Sequence, residues 1–97
     1  MPALQNEQAV RGAAERVVEL ALTDDMAYHD SLPYEVQIEM STPLVMVAEA
    51  LGEGCELVEL QQRVSILLSA AAQVTSQVPE ELRVLLEDLR FAGRQRR

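Results

Sequence analysis

The stretch CELVELQQRVSILLSAAAQVTSQV, residues 55–78, decides the fold. Leu57, Leu60, Val64, Leu67, Ala71, Val74 and Val78 recur at alternating steps of three and four. That spacing marks one face of an α-helix. The wet face is unusual. No charge falls between Val64 and Pro79, and the positions off the seam are small or neutral: Ser65, Ser69, Ala72, Gln73, Thr75 and Ser76. Ile66 and Leu68 widen the apolar side. A helix exposed on one side normally carries Glu or Lys there. The run therefore predicts a contact that excludes charge, as the centre of an obligate interface does.

We read Val64, Leu67, Leu68, Ala71, Ala72 and Val74 as a self-association surface, which makes the expected assembly a homodimer. Length points the same way. This helix would span about 24 residues, roughly 36 Å, against about 21 Å for the helix after Pro79. A second copy across a two-fold axis would cover what a short neighbour leaves bare. The alternative is a monomer whose other helices surround this one. A membrane span is excluded by length, because the uncharged run falls short of the roughly 20 apolar residues needed.

Working outward, Leu4–Leu22 reads as helix 1, with Val10, Ala13, Ala14, Val17, Val18 and Ala21 as its stripe. Glu7 and Arg11 stand four apart in the favourable order. Gly12 is a weak point unless a neighbouring helix needs the close approach. A polar connection follows from Thr23. Helix 2 runs from about Pro33 to Leu51, with Val36, Met40, Leu44, Val47 and Leu51 inward. Pro43 removes a backbone donor and crowds the preceding turn, which predicts a kink or break near Ser41-Thr42. Gly52-Glu53-Gly54 is a stop. Glu56 and Glu59 suit the N-terminal end of helix 3. Helix 4 runs from Pro79 to about Ala92 and buries Leu82, Leu85, Leu86 and Leu89. Gly93 is expected to stop it. The fold class is therefore all-α, a small bundle of four helical segments. Residues 1–92 form one domain and 93–97 a flexible Arg-rich tail.

Composition narrows function by exclusion. Net charge is −8, and between Val17 and Gln62 there are ten acidic residues and no Arg. Such a surface argues against a body that grips nucleic acid, which requires a basic face. It favours solubility or a basic protein partner. The single cysteine allows no internal disulfide. The first residues show no basic and apolar leader, so the expected location is the cytoplasm. All eight cationic side chains are Arg. With the abundant Ala and Val, this usage suggests a GC-rich bacterial genome.

Candidate chemistry is sparse. His29, near Asp24, Asp25 and Asp30, could take part in a metal or acid–base site, but Asp and Ser also serve turns, and no second His exists. Cys55 follows Gly54 at a helix start, where a thiol can be activated, yet Glu53 and Glu56 oppose a thiolate. Met40 and Met46, with Tyr28 and Tyr34, could line a groove or fill the core. Glu35, Glu39, Met46 and Glu49 form the candidate partner-binding face; the plain alternative is a solvated surface. A phosphate-binding Gly loop, a nucleophile elbow, paired cysteines and a calcium loop are all absent. No cofactor or metal is expected. Together these readings describe a non-enzymatic acidic helical protein that binds and regulates or chaperones a protein partner. The alternatives are an acidic decoy for a basic surface and, further off, a metal–carboxylate enzyme using His29.

Overall fold

The computed structural model describes residues 2–22 and 32–94. Four α-helices account for nearly all of them: α1 (Pro2–Ala21), α2 (Tyr34–Glu53), α3 (Leu57–Gln73) and α4 (Glu80–Arg94). A single 3₁₀ turn, Thr75–Gln77, links α3 to α4. The all-α reading of the sequence holds. The particle measures 41 × 26 × 18 Å. Its long axis is set by helices of 15 to 20 residues, each about 22–30 Å long.

Each helix contributes most of the stripe its spacing predicts, with Val18, Leu51 and Leu85 only partly buried against the core. Val10, Ala13, Ala14, Val17 and Ala21 of α1 meet Val36, Met40, Leu44, Val47 and Ala50 of α2 in one core. Leu60, Val64, Leu67 and Ala71 of α3 and Leu82, Leu86, Leu89 and Ala92 of α4 complete it. No polar or charged side chain is buried among the described residues. The core is therefore held by apolar burial, worth about 1.5–3 kcal/mol for each large side chain. Around the bundle α1 packs along α4 and α2 along α3, while α1 meets α2 less extensively and α3 barely touches α4.

The break expected near Pro43 does not occur. α2 is continuous from Tyr34 to Glu53 with Pro43 inside it. Pro43 costs the helix one hydrogen bond, that to the Glu39 carbonyl, and crowds the turn before it. However, it falls on the inward stripe and is buried with Met40, Leu44 and Val47. Its ring thus fills core space, and packing on both sides holds the helix together across the defect.

α2 ends at Gly54, one of the stop residues expected, in the left-handed region at φ 69°. The Gly54 N–H bonds to the Leu51 carbonyl and the Cys55 N–H to that of Ala50, the Schellman pattern that satisfies the last carbonyls. Glycine adopts this φ without the Cβ penalty.

Helix 3 is shorter than its seam suggests. α3 has 17 residues and ends at Gln73, although Val74 and Val78 of the same seam are still buried. Two local causes end it. Thr75 Oγ1 donates to the Ala71 and Ala72 carbonyls, each at 3.2 Å, drawing acceptors away from the backbone ladder. Val78 precedes Pro79, which disfavours helical geometry, and its ψ is 125°. The length mismatch disappears, since α4 has 15 residues. α4 also passes through Gly93 to Arg94, so that glycine is not its stop. Residues 95–97 lie outside the described part.

Candidate functional site

The loosest edge of the bundle lies between α3 and α4, and a groove occupies it. Leu68, Ala71 and Ala72 of α3, Thr75 and Val78 of the turn, and Arg83, Leu86, Glu87 and Arg90 of α4 line it. It encloses about 110 Å³ and opens to solvent. The floor is apolar because the core stripes of both helices turn inward beneath it. The α3 wall carries no charge. The α4 wall carries Arg83 and Arg90, one turn on either side of Glu87.

Arg11, Arg63, Arg83 and Arg90 divide by what stands four residues before them. Arg11 has Glu7 at that position and bonds it at 2.9 Å. Arg63 has Glu59 and bonds it at 2.9 Å. Glu preceding Arg by four is the favourable helical order. Held this way, each guanidinium extends a second donor to a carbonyl of another segment. Arg11 reaches the Cys55 carbonyl, and Arg63 donates to that of Met46 at 2.7 Å. The first ties α1 to the segment that follows α2, and the second ties α3 to α2. Four residues before Arg83 stands Pro79, and before Arg90 stands Leu86. Arg83 is left with Glu80 at 3.8 Å, an exposed pair of little energetic weight. Arg90 has no ion pair among the described residues.

The residues proposed for self-association separate on this structure. Val64, Leu67, Ala71 and Val74 lie in the chain's own core. Leu68 is half-buried and Ala72 exposed, both at the groove. Ser65, Ile66 and Ser69 are exposed beside them, so the uncharged face of α3 is at the surface of the single chain. Seam and uncharged face are two sides of one helix: the first is consumed by the fold, the second is not.

Glu35, Glu39 and Glu49 are exposed on α2, and Met46 is half-buried, its side chain in a shallow depression with Ser41, Thr42 and Val45. Tyr34 and Ile38, at the start of α2, are 74% and 53% exposed. At that end Gln77 Nε2 donates to Glu35 Oε2 at 3.1 Å, linking the start of α2 to the turn below the groove. Met40 is wholly buried and fills the core. Cys55 is a half-buried free thiol whose carbonyl receives Arg11. His29, Asp24, Asp25, Asp30 and Tyr28 lie outside the described residues. Among the described residues, no three His, Cys, Asp or Glu side chains converge as a metal site would require, and no helix is long and apolar enough to cross a membrane.

Sequence reasoning missed Arg83, Leu86 and Arg90 as site residues. The one signal was weak: both arginines lack the acid four residues earlier that fixes Arg11 and Arg63, but so does Arg16, which is not at the groove. No family model matches the chain, and no curated protein or solved structure matches it either.

Proposed function

We propose that this chain is a non-enzymatic helical interaction module, a cytoplasmic homodimer that binds a protein partner and regulates or chaperones it. The observation that supports this reading most is the uncharged surface of α3 beside an apolar groove. Ser65, Ile66, Ser69 and Ala72 are exposed there in a chain that places a charged side chain on most other exposed helical positions. Water would tolerate charge at those sites, whereas a contact would not. The self-association surface accordingly narrows from the whole seam to Leu68, Ala72 and their exposed neighbours. Glu35, Glu39, Met46 and Glu49 on α2 remain the face offered to a basic partner.

Ser69→Glu and Ala72→Glu test this directly. Both sites are exposed in the single chain, so the variants should keep the helical circular dichroism of the wild type. In a dimer each would place a charge at the contact, twice by symmetry. The expected result is a wild-type mass of two chains by light scattering and a variant mass of one. A wild-type mass of one chain at micromolar concentration defeats the dimer.

A second reading, an acidic decoy that occupies a basic surface, is supported by the exposure of Glu35, Glu39 and Glu49 in the Arg-free part of the chain. Salt separates the two. Binding by an acidic decoy falls steeply with ionic strength, while binding through an apolar surface is nearly indifferent to it.

A further inference from the structure

We infer that the α3–α4 groove is the seat for the first turns of α2 from a second copy of this chain, an assignment that rests on the self-association reading. Tyr34 and Ile38 would enter over Leu68, Ala72 and Leu86, with Glu35 and Glu39 facing Arg83 and Arg90.

Charge complementarity carries the assignment. The groove has an apolar floor and a wall bearing Arg83, Glu87 and Arg90, net positive, with Arg83 loosely paired to Glu80 and Arg90 without an ion pair among the described residues. Its natural occupant is a helix with apolar side chains at i and i+4 flanked by acids. The start of α2 has this form. Tyr34 and Ile38 are spaced by four and are both large, apolar and more than half exposed. Glu35 and Glu39 repeat the same spacing immediately beside them and are exposed as well. No cation on α2 competes for these acids.

Placement on the molecule allows the contact to close. The hydrogen bond from Gln77 to Glu35 puts the start of α2 next to the turn that ends the groove. Each copy thus carries the knob and the seat side by side. Two such adjacent surfaces can be satisfied at once across a two-fold axis, giving a closed dimer instead of an open chain of subunits. Of the α2 face offered to a basic partner, this contact takes up Glu35 and Glu39 and leaves Met46 and Glu49, farther along the helix, free for another protein.

Charge reversal with rescue tests this. Arg83→Glu with Arg90→Glu should weaken the dimer by roughly a hundredfold, since each copy exchanges attraction for repulsion at its groove. Glu35→Arg with Glu39→Arg should weaken it comparably. Combining all four changes in one chain should restore most of the affinity, measured by analytical ultracentrifugation. Arg16→Glu, an exposed change on α1, is the control and should leave the dimer intact. All these sites are exposed, and the rescued variant shows that none acts by unfolding. A dimer indifferent to the Arg reversals, or a fourfold variant that stays dissociated, overturns this contact while self-association stands. A wild type that is monomeric throughout overturns both.

Discussion

The α2–α3 edge and the α3–α4 edge use the same helix in opposite ways. Toward α2, its main neighbour, α3 is tied by Arg63 to the Met46 carbonyl, and the turn after it by Gln77 to Glu35, beside a seam of buried Leu60, Val64 and Leu67. Along α4, it offers Leu68 and Ala72 to an open groove whose arginines hold nothing firmly. The difference does not lie in hydrophobicity, since both edges have apolar floors. It lies in whether the polar groups at the rim have partners within the chain. An edge with its rim satisfied is part of the fold, and an edge with its rim unsatisfied is available to a partner.

The largest expected contrast is between two neighbouring leucines. Leu67 is fully buried in the core. Leu67→Ala should cost about 3 kcal/mol through lost burial and the cavity left behind. Leu68 is half-buried at the groove, and Leu68→Ala should cost the monomer only about 1 kcal/mol. Urea unfolding at low protein concentration reads both. Equal losses would mean that the α3–α4 edge is as tightly packed as the α2–α3 edge.

The arginines sharpen the contrast at lower amplitude. Arg63→Met keeps the apolar stem but removes the bond to Met46, and should cost about 1–2 kcal/mol. Arg90→Met should change monomer stability by less than about 0.5 kcal/mol. Thermal melts of the two variants decide this. If Arg90→Met is the more damaging, Arg90 has a structural task that its surroundings do not reveal.

Two backbone substitutions have effects of about 1 kcal/mol or less. A Cβ on Gly12 would find Arg16 Nη1 at 3.6 Å and nothing closer. No neighbouring helix requires a glycine there, so Gly12→Ala should stabilise by about 1 kcal/mol. At Pro43, alanine regains a helical hydrogen bond but removes a buried ring. These effects oppose each other, and Pro43→Ala should leave stability within about 1 kcal/mol of wild type. A melting temperature that drops sharply would show that the ring is a larger part of the core than the missing bond is a defect.

The sequence by itself determined what is local. The seam of α3, the stripes of α1, α2 and α4, the Glu7–Arg11 pair and the stop at Gly54 all follow from spacing and residue type within one or two turns. Where local reading erred, a longer-range or competing term decided. Pro43 was tolerated because it faced the core, and only packing against other helices gives that burial its weight. Helix 3 stopped at Gln73 because the Thr75 hydroxyl and the residue before Pro79 outweighed a seam that continued in register to Val78. The open edge is a property of the tertiary structure alone. Periodicity shows that Val64 and Leu67 need cover, but not whether α2, α4 or a second chain supplies it. That depends on which helices meet around the bundle, and contacts between residues far apart in the chain settle it.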